Sequence, residues 1–225
     1  MQYAVMNKRN QCGFTLIELM TTLLVAGVVL GIGVPTFNQF IATNQMVSGV
    51  NDLTSSLHLA RTEAVKRRAN VTICPSANPF ADPPACDNTG SFADGWIIFV
   101  DCTVAAPPAG TCGAPNYAVA DRTDILNAHG PMIDDLANNF STFSTNPNVT
   151  PGYITYSPTG FTRTIPVLGA VQPISDFQLC DHRGNQNVGA NIAAGRWIRI
   201  SPTGRPQIFR EVGEIQSAQN PLNGC

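Results

Sequence analysis

Three different patterns of apolar and polar positions follow one another along the chain. Residues 14–34 read Phe-Thr-Leu-Ile-Glu-Leu-Met-Thr-Thr-Leu-Leu-Val-Ala-Gly-Val-Val-Leu-Gly-Ile-Gly-Val, apolar almost throughout. A helix of that length spans the roughly 30 Å of a bilayer's hydrocarbon. Beyond it, Phe40, Val47, Val50, Leu53, Leu57, Ala60 and Ala64 recur largely at three- and four-residue steps. That spacing predicts an amphipathic helix with one buried stripe. Arg61, Lys66, Arg67 and Arg68 gather where cations suit a helix C-terminus, and Asn70 with β-branched Val71 ends it. The helix over 14–68 would be about 80 Å long. Pro35 removes a backbone donor and crowds the preceding turn, so a kink or local break is expected there, loosened further by Gly27, Gly31 and Gly33.

From residue 70 the pattern changes to short apolar or alternating runs between Pro- and Gly-rich turns. Asn70–Cys74, Gly95–Asp101, Tyr153–Tyr156, Phe161–Val167, Phe177–Cys180, Arg196–Ser201 and Gln207–Arg210 read as strands. The predicted class is α+β: a long N-terminal transmembrane helix, kinked at Pro35, packed on an antiparallel β domain. The expected segments are a short N-terminal stretch at 1–13, a membrane-spanning helix at 14–34, the amphipathic half of the helix at 35–69, and a disulfide-containing β domain at 70–225. Residues 102–150 match no pattern and read as an insertion.

Composition supports a folded chain outside the cytoplasm. Hydrophobic residues make up 44% and charged residues 12%, too apolar for disorder. The cysteines are Cys12, Cys74, Cys86, Cys102, Cys112, Cys180 and Cys225. None forms a C-x-x-C, and no His stands at zinc-finger spacing, so no metal site is expected. Cys12 stands before the apolar run, and the six cysteines after it form an even set suited to an oxidising compartment. Six cysteines allow fifteen connectivities. Local loop closure favours Cys74 with Cys86, Cys102 with Cys112, and Cys180 with Cys225.

Lys8 and Arg9 precede the apolar run, which keeps the N-terminus cytoplasmic and sends the rest outward. A secretory signal would be cut after such a run. Glu18 is the anomaly, because a carboxylate at membrane depth costs about 2.5–3.5 kcal/mol on insertion scales. Gly13-Phe14-Thr15-Leu16-Ile17-Glu18, the unbroken run behind it and Pro35 resemble the type IV prepilin signature. The resemblance implies cleavage by prepilin peptidase between Gly13 and Phe14 and N-methylation of Phe14. It also implies that Glu18 pairs with the amino terminus of a neighbouring subunit during assembly.

Further motifs narrow the resemblance. Ala60-Arg61-Thr62-Glu63-Ala64, the strand Val71–Cys74, Gly-Trp-Ile-Ile-Phe-Val-Asp at 95–101 and Ser201-Pro202-Thr203-Gly204-Arg205 resemble the GspH/FimT family. Its members are minor pseudopilins of type II secretion and minor pilins of type IV pili. The implied partners are other minor pilins or pseudopilins, the major subunit and the prepilin peptidase. The implied location is the inner membrane, single-pass, with the β domain periplasmic until it enters a pilus or pseudopilus.

Charge is unevenly spread. Residues 70–159 hold one Arg against eight Asp, and residues 160–210 hold six Arg against two Asp. Arginines suit phosphate, and Arg196, Arg199, Arg205 and Arg210 are candidate DNA-binding residues, with Trp197 and Phe209 placed to stack on bases. Some FimT-type pilins bind DNA through Gly-Arg-x-Arg; the matching Gly204-Arg205-Pro206-Gln207 lacks the last Arg. The alternative to a structural subunit is thus a DNA-binding or adhesive pilin. No catalytic constellation accompanies His58, His129 or His182, which read as surface residues, and no cofactor is expected. Asp82, Asp87 and Asp94 lack calcium-loop spacing.

Overall fold

The computed structural model describes residues 13–87, 91–101, 125–132, 141–144, 152–163, 174–222 and 224–225. One long helix, α1, runs Leu16–Arg67. It is followed by β1 (Asn70–Pro75), β2 (Trp96–Asp101), β3 (Ile125–His129), β4 (Ser141–Ser144), β5 (Ile154–Tyr156), β6 (Thr162–Arg163), β7 (Asp176–Cys180), β8 (Asn187–Gly189), β9 (Ile192–Ile200), β10 (Pro206–Glu211) and a short α2 (Val212–Ile215). The chain divides at residue 41 into an N-terminal unit and a compact C-terminal unit.

In the N-terminal unit every described residue from 13 to 34 is exposed. The helix is assigned continuously through Pro35, so no break divides it there. The helix start follows local chemistry. Thr15 caps it, its hydroxyl accepting from the Glu18 backbone N–H at 3.3 Å.

The C-terminal unit has two sheets. The first is ordered β3-β2-β1-β5-β6 and the second β10-β9-β7-β4, with β8 beside β9. The pairings are antiparallel. The later half of α1 supplies the residues they share. Met46, Val50, Leu53, Leu57, Ala60 and Ala64 form one core with Val71, Ile73, Trp96 and Ile98 of the first sheet and Phe177, Leu179, Ile198 and Ile200 of the second. The buried stripe therefore passes through Ala42 and Met46, not Phe40 and Val47, which are exposed. Ala42 and Met46 continue the four-residue step back from Val50, and the two expected residues lie off that line. Period-two alternation sends Ile97 and Phe99 of β2 to the opposite face, where they pack with Cys74 and Tyr153.

The strand β9 starts at Ile192, earlier than its sequence pattern indicated, because Ala193 and Ala194 are small enough to be fully packed. The strands β3 and β4 lie inside the stretch read as patternless. Of the run 161–167, Thr162–Arg163 is strand, and 164–167 lie outside the described residues.

Two turns have the same sequence and the same hydrogen bonds. Ser157-Pro158-Thr159-Gly160 joins β5 to β6, and Ser201-Pro202-Thr203-Gly204 joins β9 to β10. In each, the serine hydroxyl lies 2.8 Å from the threonine hydroxyl, and the glycine N–H donates to the serine carbonyl at 2.8 Å. Each glycine has φ +78°, the left-handed region that favours glycine. Thr162 of one turn donates to the Pro202 carbonyl of the other from both its N–H and its hydroxyl.

Candidate functional site

The N-terminal motif sits on the first turn of α1. Phe14 is exposed, and the Glu18 side chain, also exposed, has no ion-pair partner among the described residues. Thr21 and Thr22 spend their hydroxyls on the carbonyls three residues back, at 3.0 and 2.9 Å, which keeps them compatible with an apolar surround. Glu18 is then the one charged group in an apolar run whose 18-residue window has a mean hydropathy of 2.1.

Two of the expected cysteine pairs are present. Cys74 is joined to Cys86 and Cys180 to Cys225, each with Cα atoms 5.6 Å apart. Cys102 and Cys112 lie outside the described residues. The second bond holds the C-terminus against β9 so closely that a Cβ on Gly195 would stand 2.5 Å from the Cys225 sulfur.

The basic half is not the open arginine face that charge counting suggested. Arg196 and Arg199 do not lie together on it. Arg196 shares the inner face of β9 with Ile198 and Ile200, is buried, and donates from Nη1 to the carbonyls of Ala193, Ala194 and Gly195. Burial, then the like charges of Arg183 and Arg210, push its pKa down, with Asp181 opposing. Arg199 lies on the outer face, 2.9 Å from Asp176 and 4.5 Å over the Trp197 ring. Trp197 is itself buried, donates to Asp176 at 2.9 Å and stacks on Phe209 at 4.2 Å. Its indole is therefore not available to stack on a base. Arg183 is buried against Asp181. Of the four DNA-binding candidates, Arg205 and Arg210 remain exposed.

His129 departs from the surface reading. Its ring stacks on Trp96 at 4.0 Å, and its Nε2 lies 3.8 Å from Asp52. His58 and His182 are exposed. Among the described residues no group of His, Cys, Asp and Glu could hold a metal ion.

Comparison with known proteins agrees with the two halves of this arrangement. Residues 8–34 match the prokaryotic N-terminal methylation motif. Residues 49–204 match the type II transport protein GspH. No curated protein sequence matches the chain. Among solved structures, it is similar to the type IV minor pilin FimU of Pseudomonas aeruginosa strain PAO1 in two crystal forms. The first is 21% identical with a TM-score of 0.42, over 76% of this chain and 92% of that one. The second is 20% identical with a TM-score of 0.38, over 72% and 90%. With a methylation motif leading into α1 and the family match running from the helix to the second Ser-Pro-Thr-Gly turn, the chain belongs to the GspH family and is a minor pilin or pseudopilin.

Proposed function

We infer that this subunit is cut by prepilin peptidase between Gly13 and Phe14, methylated at Phe14, and held in the inner membrane by residues 14–34, with the β domain in the periplasm. Lys8 and Arg9 support that orientation. It then enters a fibre with other minor subunits and the major subunit, its Glu18 carboxylate paired to the amino terminus of a neighbour's Phe14. One observation carries this reading: the exposed apolar run contains a single carboxylate, which has no ion-pair partner among the described residues. So large an apolar surface is not left to water by a soluble monomer. A lone carboxylate in it is costly until a cation meets it.

The test replaces Glu18 by Ala in the full chain and follows the sheared fibre fraction alongside membrane levels. The variant should be processed and accumulate in the membrane but be missing from fibres. Normal incorporation would remove Glu18 from the assembly step. Mass spectrometry of the mature chain should find Phe14 first and methylated; an intact residue 1 would overturn the processing step.

A further inference from the structure

We propose that a groove in the C-terminal unit, between its part of α1 and strand β10, takes the extended C-terminal end of a different subunit, whose terminal carboxylate meets Arg196 and Arg210. The groove holds about 530 Å³, within the size range of pockets that bury a ligand. Its walls are apolar and open. Val47 on α1 and Ile208 on β10 line it and are 42% and 43% exposed, and Val188 and Ile192 add to the apolar lining.

Two guanidinium groups line the same groove. Arg196 is only 6% exposed, and its side-chain hydrogen bonds come from Nη1 alone and go to backbone carbonyls. Its Nε and Nη2 therefore have no partner among the described residues. The Arg210 side chain is exposed and has no ion-pair or hydrogen-bond partner among the described residues. Asp181, the carboxylate whose charge reaches Arg196, is held by Arg183 through Nε and Nη2. A guanidinium stays charged, and a buried charge that no counterion meets is costly. The groove thus presents a deep fork of donors suited to a carboxylate, between walls suited to an apolar side chain.

The backbone beside the groove narrows the occupant to a peptide. β10 ends the second sheet, and among the described residues its outer edge pairs with no strand. Such an edge offers a row of N–H and C=O groups, and an extended peptide laid along it satisfies them. A fatty acid or a small organic acid would meet the arginines and leave the edge unused. An acidic side chain in mid-loop would have to carry its chain both into and out of the groove. A chain end enters once, and brings a carboxylate and a side chain on the same Cα. Assigning that end to a different subunit rests on the reading of the chain as a minor subunit, which is flanked in a fibre mainly by other chains. The peptide chemistry does not depend on that reading.

Full-length protein in maltoside micelles is titrated into a fluorescein-labelled Gly-Ser-Thr-Val-Thr-Leu peptide while anisotropy is followed. The free acid should bind about tenfold more tightly than its C-terminal amide. Arg210→Gln should erase that difference and leave the amide unchanged; Arg196 is left in place because it also holds three backbone carbonyls. N-methylation of alternate peptide amides should abolish binding in one of the two registers. No binding of the acid, equal affinity for acid and amide, or indifference to both methylation patterns overturns the groove as a peptide seat. In cells, a photoreactive benzoylphenylalanine at position 208 should cross-link to the last residues of another subunit, mapped by mass spectrometry. A cross-link within this chain, to a second copy or to the interior of another chain overturns the occupant. The titration needs no fibre, so its outcome is independent of whether Glu18→Ala blocks fibre entry.

Discussion

Gly204 approaches Gly160 so closely that a Cβ on Gly204 would stand 2.2 Å from the Gly160 carbonyl oxygen. The same Cβ would be 3.0 Å from the Tyr156 ring. The two Ser-Pro-Thr-Gly turns therefore touch backbone to backbone, one from each sheet. Gly204→Ala combines this overlap with a positive φ and should cost about 3 kcal/mol or more, lowering Tm by roughly 10 °C. Gly160→Ala has the same φ, but its Cβ would meet only side-chain atoms, a Val65 methyl at 3.3 Å and the Arg61 Nε at 3.4 Å. It should cost about half as much. Calorimetry of the two variants in parallel checks the order; equal losses would mean that φ alone matters.

The two visible disulfides should differ in value. Cys74–Cys86 closes a span of 12 residues and Cys180–Cys225 one of 45. Loop-closure entropy then assigns about 3 kcal/mol to the first and about 4 kcal/mol to the second. Urea unfolding of Cys86→Ser and Cys225→Ser proteins measures both. The second loss should also release the C-terminus from Asn185, whose Oδ1 accepts from the Cys225 N–H at 2.9 Å.

Asp176 joins three partners on one small surface. Ser175 donates to one of its oxygens at 2.8 Å, and Trp197 and Arg199 both donate to the other at 2.9 Å. Asp176→Leu would strand a buried indole N–H and take the carboxylate away from Arg199, and should cost about 2–4 kcal/mol. Arg199→Ala leaves the indole bond in place and should cost about 1 kcal/mol, because the arginine is partly exposed. If the outer face of β9 were a nucleic-acid surface, Arg199→Ala would weaken DNA binding without changing stability. The geometry predicts the reverse, which a denaturation curve and a gel-shift titration decide.

The parts of the fold legible in the sequence were those written in local periodicity. The apolar run, the helical stripe from Val50 to Ala64 and the strands β1 and β2 each repeat at the spacing their backbone imposes. The basic face was misread because charge counting ignores which side of a strand a residue occupies. Alternation along β9 puts Arg196 with Ile198 and Ile200, and that alone indicated burial. The partners of Arg199 and Trp197 could not be read, since Asp176 reaches them through strand pairing across 21 and 23 residues. The repeated Ser-Pro-Thr-Gly was visible as a string, but its meaning lies in a contact between turns 40 residues apart.

Tyr156 packs beside that contact, and its buried hydroxyl has no hydrogen-bond partner among the described residues. Burial pushes the phenol pKa well above its usual 10.0, and the Arg61 charge only partly offsets the rise. A phenol raised on folding keeps its proton in the folded state after the unfolded chain has lost it. Its contribution is therefore intact below pH 10 or so and declines as pH climbs above that value. Tyr156→Phe removes the unsatisfied oxygen while keeping the ring against Gly204, and should gain about 1 kcal/mol at neutral pH. It should also remove this residue's share of the alkaline loss, so the advantage of the variant widens above pH 10. Urea unfolding of both proteins at several values from neutral to strongly alkaline pH measures the two effects separately. A variant less stable at neutral pH would show that the hydroxyl has a partner, and a constant difference across the range would show that the phenol titrates normally.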